Sequence, residues 1–465
     1  MSAARPAGKA KPAAATKPAP TARATAGRAP KGAAAPAATA VRPRFEERTE
    51  VHALPGGGTL QTLSLPGTGT VVVHGNLRAG AALDTPELPG LADLTARALD
   101  LGTASHTRLQ IAEEMDGRGV SFRFWGGTLT SAFSARCLRE DFDVCTTLLV
   151  EMLREPAFPE VELVKLKQRT AAQIRENADN TQAVAYETFH RALYPDHHPL
   201  WVAPIEQRLA ALDRMTVEEV QRFHREAYGS RDLLLTVVGD CEGAAVRAHV
   251  EKLLAGWSGP AKRTEPWEDE GRAEPPQPRY RAHMPGKSNI DVVWGHRAGL
   301  RRASPDYLAA ILGNMALGGS TLSSRLGVRV RDTEGLTYGI FSRFSGASLS
   351  PGPWAVSVTV APENLEKALK STREVVEKTL EGGLSAKELD AEQEHMAGSF
   401  AVGLATNDGI ARQLHDAAFY GFGPGYLDRF PALVRAVTRA ETNEALRENI
   451  RPADCIVSAA GPLPA

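Results

Sequence analysis

Val71-Val72-Val73-His74-Gly75-Asn76-Leu77-Arg78-Ala79-Gly80 is matched later in the chain by Ile290-Asp291-Val292-Val293-Trp294-Gly295-His296-Arg297-Ala298-Gly299. Each segment is an apolar run followed by Gly, polar residues and Ala-Gly, and the two lie about 220 residues apart. Two further landmarks keep that offset. Phe158-Pro159-Glu160-Val161-Glu162-Leu163 is matched by Leu384-Ser385-Ala386-Lys387-Glu388-Leu389, and Leu234 to Asp240 by Ile456 to Pro462. A constant offset across three landmarks implies a duplication, with two homologous units of about 210 residues each.

The pattern between the landmarks gives the type of unit. Val51 to Leu54 and Leu60 to Leu63, separated by Gly56-Gly57-Gly58, read as two short strands around a turn. Thr70 to Val73 is a third strand, and Val120 to Ala135 alternates as paired strands do. Leu91 to Leu101, Leu109 to Arg118, Asp141 to Leu153, Pro159 to Asn177, Ala183 to Leu193 and Thr216 to Tyr228 carry helical spacing. Thr216 with Glu219 predicts a capping box. Leu233 to Asp240 is a buried strand, followed by a helix to about Leu254. Runs of strands and runs of helices point to α+β units, each an antiparallel-rich sheet with packed helices.

Composition bounds the function. The chain has 465 residues, 43% of them apolar, as in an ordinary globular protein. No apolar run reaches the ~18 residues of a membrane span, so none is expected. The net charge of −1 is unevenly spread: residues 1–44 carry nine Lys and Arg and no acid, which leaves −1 − 9 = −10 for residues 45–465. A mildly acidic body excludes a nucleic-acid surface. The Ala/Pro/Lys-rich residues 1–44 lack the apolar content to fold and lack a secretory apolar core, so a disordered tail is expected. Residues 258–279, with five prolines from Pro260 to Pro278, read as an exposed linker. The first unit is then 45–257 and the second 280–463. Cys137, Cys145, Cys241 and Cys455 form no CxxC pair and suit a reducing, cytoplasmic setting.

Pro89-Gly90-Leu91-Ala92 opens the helix near residue 93 and Leu101-Gly102-Thr103 closes it. Asp196-His197-His198-Pro199-Leu200, Phe223 to Tyr228 and Val237-Val238-Gly239-Asp240 follow in order. Over residues 46–463 this series resembles the pitrilysin/insulinase family of zinc metallopeptidases, in its mitochondrial-processing-peptidase-like branch. The resemblance implies an inverted zinc motif, H-x-x-E-H, on that helix. Such a motif puts two ligands on one helical face with a general-base Glu between them. Here the three positions are Asp93, Ala96 and Arg97. Asp93 offers an oxygen, Ala96 has no carboxylate to activate water, and Arg97 is a fixed cation. The position the resemblance gives to a third ligand, a Glu, is Gln173, followed by Ile174. A neutral amide is a poor zinc ligand. Ligands and base are replaced together, so no metal is expected in this chain. Asp93 and Arg97, four residues apart, are also placed to form an ion pair. His197-His198 with His190 is the nearest histidine cluster, and an adjacent pair on a helix would face different ways.

In the second unit, Leu317-Gly318-Gly319-Ser320-Thr321-Leu322-Ser323-Ser324-Arg325-Leu326 leads to Arg331-Asp332-Thr333-Glu334-Gly335-Leu336-Thr337-Tyr338. The spacing is not that of a phosphate loop. The resemblance implies that Arg331 and Tyr338 reach toward peptide substrate, a pair that in two-chain members comes from the subunit without zinc. Arg grips a carbonyl or carboxylate, and a Tyr hydroxyl steadies an oxyanion. The alternative is an ion pair of Arg331 with Asp332 or Glu334 and a core position for Tyr338. The match over the surrounding residues favours substrate binding, although Gly327 and Val328 depart from the bulkier, more polar residues usual there.

These readings imply a non-catalytic subunit that pairs with a zinc-bearing insulinase-like homologue, as a heterodimer or dimer of heterodimers, around a peptide chamber. Two alternatives stand beside it: an active zinc peptidase with an unrecognised metal site, and a free-standing peptide-binding or scaffold protein.

Overall fold

Alternation of buried side chains builds the first sheet. In β3 (Thr70–Leu77), Val71, Val73 and Leu77 enter one apolar core and Val72 enters another. β1 (Thr49–Ala53), β2 (Thr59–Ser64), β4 (Ser121–Gly126), β5 (Ser131–Leu138) and β6 (Leu234–Gly239) complete six strands in the order β1-β2-β6-β3-β5-β4. All pairings are antiparallel except β2 with β6. β7 (Arg279–His283), β8 (Ile290–Arg297), β9 (Ile340–Phe344), β10 (Pro353–Val360) and β11 (Ile456–Gly461) form the second sheet in the order β7-β11-β8-β10-β9. Its one parallel pair is β7 with β11. Apart from β1, order and direction repeat strand for strand, as the sequence offset predicts. Even the closing glycines correspond. Gly239 has φ 148° and Gly461 φ 150°, and an added Cβ would lie 2.2 Å from the Thr70 oxygen or 2.6 Å from the Asn289 oxygen.

This computed structural model describes residues 44–257, 259–271 and 276–463. The expected tail, 1–44, lies outside the described residues except for Arg44. Among the described residues no helix is long and apolar enough to cross a membrane.

The helices reveal what the repeat did not. Thr181–Leu193 comes from the first half of the chain, yet it packs on β8 and β11 of the second sheet. Its Ala185, Phe189, Ala192 and Leu193 share a core with Val293, Ala355, Ile456 and Ala460. Its counterpart Asn407–Phe419 crosses the other way, onto β3 and β6. There Ile410, Ala411, Leu414 and Ala417 meet Leu63, Val72 and Val238. Each sheet is therefore covered on one face by its own half and on the other by the opposite half. The described residues form one compact unit.

Three local details go beyond the sequence reading. The expected linker is exposed over most of its described residues but touches the body. Thr264 is buried, donating its N–H to the Arg78 carbonyl at 2.8 Å, and Trp267 donates its N–H to Ser350 Oγ at 2.8 Å. The connector is pinned to both halves because Thr264 and Trp267 find partners there, and β7 already begins at Arg279. Thr216 caps its helix by accepting from the Glu219 N–H, but the Glu219 carboxylate pairs with Arg222 instead of closing the box. The helix Ile205–Arg214 went unread in the sequence, although Ile205, Leu209 and Leu212 have helical spacing behind Pro204.

Candidate functional site

Leu91, Leu94 and Ala98 turn the Leu91–Ala98 helix into the core of the first half. Asp93 and Arg97 are left on its other face, where they line a cleft of about 440 Å3. Gly90, at φ 97°, opens the helix, and Asp84 caps it from upstream, accepting from the N–H of Gly90 at 2.7 Å and of Ala92 at 2.8 Å. Burial pushes the Asp84 carboxyl up to about 7, with those two hydrogen bonds acting against it.

The cleft brings together Asp93, Arg97 and Gln173, the last from the Glu160–Ala178 helix. Arg97 Nη1 donates to Asp93 Oδ2 at 3.3 Å, so the ion pair open to the sequence is present. Asp93 Oδ1 also accepts the Gly126 N–H at 3.2 Å. Both carboxylate oxygens of Asp93 are thereby engaged. Gln173 Nε2 donates within its own helix, to Asn177 Oδ1 at 3.1 Å. Ala96 is fully buried and does not line the cleft. These residues do not fit a zinc ion: the one carboxylate is held by a permanent cation, and neither Ala96 nor Gln173 supplies an anionic or imidazole donor. Among the described residues no group of three or more His, Cys, Asp or Glu side chains is placed to hold a metal.

The three histidines do not converge. His197 and His198 lie in a turn rather than on a helix. His197 Nε2 pairs with Glu270 at 3.2 Å. His198 stacks on Tyr194 at 4.3 Å and takes the Leu200 N–H on Nδ1 at 3.0 Å. His190 Nδ1 donates to the Leu200 carbonyl at 2.8 Å. Burial lowers both His190 and His198 to about 4, so each is neutral near pH 7. The wall of the cleft also holds Trp201 and Arg208, which sequence reasoning missed. Reading the helical spacing of residues 205–212 would have brought Arg208 into view.

Arg331 and Tyr338 line a second cavity, of about 500 Å3, which shares no lining residue with the first. Arg331 Nη1 donates to Asp332 Oδ1 at 2.5 Å, the ion pair of the alternative reading. Tyr338 does not follow that alternative, since it is 98% exposed rather than in the core. Leu322, Val328 and Phe341 are exposed as well. The segment that leads to Arg331 holds two π-helical pieces, Met315–Gly319, which includes both glycines, and Gly327–Thr333. Such winding is rare and frequent at functional sites. Gly327 has a packing reason, because a Cβ there would lie 2.0 Å from the Thr321 oxygen.

Comparison with known proteins adds two family matches. A model described as insulinase, peptidase family M16, matches residues 64–199, and one described as the peptidase M16 inactive domain matches residues 214–396. An uncharacterised zinc protease of Rickettsia felis is 26% identical over 348 residues, covering 72% of this chain and 79% of its own. One of Streptomyces coelicolor is 23% identical, covering 88% and 89%. Among solved structures, a peptidase M16 inactive domain from Pseudomonas fluorescens aligns with a TM-score of 0.81 and 25% identity, over 90% of this chain and 98% of that one. A protease from Helicobacter pylori shares the fold at a TM-score of 0.78 and 16% identity, over 89% and 99%.

Proposed function

The chain belongs to peptidase family M16, and from that premise we propose that it is a non-catalytic subunit of a heteromeric zinc endopeptidase. It pairs with a zinc-bearing homologue and presents Arg331 and Tyr338 to the peptide in their shared chamber. Zinc and the general base belong to the partner. The observation that carries the reading is the combination at positions 93, 96, 97 and 173: an internally satisfied ion pair, a buried alanine and an amide stand where the family chemistry needs ligands and a base. Tyr338 supports it further, because a tyrosine ring 98% exposed contributes nothing to the packing of this chain.

The test is to co-express the chain with an H-x-x-E-H-bearing homologue from the same genome. A stable complex with chelator-sensitive endopeptidase activity is expected, and neither chain is expected to show that activity alone. Tyr338→Phe should lower the turnover of the pair, and Arg331→Ala should weaken substrate binding. A chain that stays monomeric beside every such homologue, or a pair whose activity ignores both substitutions, overturns the reading.

A further inference from the structure

We propose that the outer edge of β1 is a pairing surface for a second copy of this chain, joined antiparallel about Val51. β1 is the strand without a counterpart in the second sheet, and it is paired on one side only, by β2. The phase of that ladder fixes what the other side offers. Leu54 donates its N–H to the Gly58 carbonyl at 2.7 Å, and Thr59 donates away from β1, to the Leu233 carbonyl at 2.8 Å. Counting back in twos, His52 and Glu50 bond to β2, while the N–H and C=O of Val51 and Ala53 and the C=O of Thr49 point outward. Among the described residues nothing takes the outward groups of Val51 or Ala53. The Thr49 N–H is already given to the Phe45 carbonyl.

The other sheet edges are guarded. Asp93 takes the Gly126 N–H at the edge of β4. Asn314 Nδ2 and Thr321 Oγ1 donate to the Ser342 and Ile340 carbonyls of β9, at 2.9 and 3.2 Å. β7 sets Arg279 and Arg281 on one face, and that like charge repels its own copy. β1 has no proline, lysine or bulge, and its Val51 is 52% exposed. Its charges also choose the occupant. With Val51 opposite Val51, each exchanges both main-chain bonds with its twin, and each Ala53 N–H meets the Thr49 carbonyl of the second copy. Glu50 then lies directly across from His52 of the second copy. Sliding the pair by two residues one way sets Glu50 against Glu50, and the other way His52 against His52, so one register is favoured. Within the chain Arg247 Nη1 donates to His52 Nδ1 at 3.4 Å, and His52 Nε2 donates to Glu50 Oε2 at 3.1 Å. Glu50 Oε1 is left for the imidazole opposite. A strand pair this short buries less than the ~1,000 Å2 of a stable interface, so the dimer is a weak one, with a dissociation constant on the order of 100 µM.

Sedimentation velocity of the full chain from about 5 to 500 µM should show the weight-average mass rising toward twice that of the monomer. Hydrogen exchange of the Val51 and Ala53 amides should slow over the same range. Val51→Pro removes an N–H that the monomer does not use, so it should leave the melting temperature unchanged and weaken the dimer at least about tenfold. Glu50→Lys should weaken it likewise, and adding His52→Glu should restore it by exchanging the two charges. Absence of a dimer over the whole range overturns the proposal, as does a dimer that persists in Val51→Pro or a charge exchange that restores nothing. Slow exchange at Val51 and Ala53 that ignores concentration would mean that another segment of the chain fills this edge, and overturns it too. Because the chain is measured alone, failure here leaves the subunit reading standing, and failure of pairing with a homologue leaves this contact standing.

Discussion

Phe189→Ala tests whether the crossed helices make the two halves one folding unit. Phe189 is fully buried, and the residues it meets across the interface, Val293, Ala355, Ile456 and Ala460, belong to the other half. Removing a buried phenyl ring costs about 3–5 kcal/mol, part transfer and part cavity. Four members of this cluster, Ala185, Ala192, Ala355 and Ala460, are alanines with no longer side chain to swing into the void, which places the cost near the top, about 5 kcal/mol. Leu414→Ala is the mirror experiment, since Leu414 is fully buried against the first sheet on the helix that crosses back. The assay is urea unfolding combined with hydrogen exchange read separately on β3 and β8. If the halves are locked together, each variant lowers the protection of both strands by the same free energy, in one transition. Should Phe189→Ala weaken β8 alone while β3 keeps its protection, and Leu414→Ala do the reverse, the interlocking argument is wrong.

Arg325 donates to both carboxylate oxygens of Glu388, at 2.7 and 2.8 Å, and this, with the Ser385 N–H, lowers Glu388 from 4.5 to about 2 against the opposing effect of burial. The stabilisation is present above pH 4.5 and is lost as pH falls toward 2, so Glu388→Gln should cost about 1–2 kcal/mol at pH 7, after discounting for a side chain 32% exposed, and flatten that acid limb in pH-dependent melts. Tyr338→Phe should leave stability within about 0.5 kcal/mol, because the ring is solvated, while turnover of the assembled pair falls about 100-fold, as for a lost oxyanion donor. Metal analysis after equilibration with zinc should find no stoichiometric zinc on the isolated chain; one zinc per chain, removable by chelator, would contradict the reading of positions 93, 96, 97 and 173.

Much of the fold was legible in the sequence because strand alternation, glycine turns and the repeat offset are local or periodic signals. The buried strand read at Leu233 to Asp240 is β6, and its repeat at Ile456 to Pro462 is β11. Residue type alone also says that Ala96 and Arg97 cannot do a ligand's or a base's work. The ion pair of Asp93 with Arg97 was one of two possibilities until geometry selected it.

What the sequence could not supply are relations between distant segments. An amphipathic helix records that it has an apolar face, not which sheet that face meets, so Thr181–Leu193 and Asn407–Phe419 gave no sign of crossing. Whether Tyr338 was core or surface, and which ring nitrogen of His198 was left open, depended on neighbours far away in the chain or on the path of the local turn. The sequence by itself determined a duplicated α+β chain. Only the tertiary structure decided that the halves interlock, and that Asp93, Arg97 and Gln173 share one cleft, because burial and pairing are properties of the assembled fold and not of any one segment.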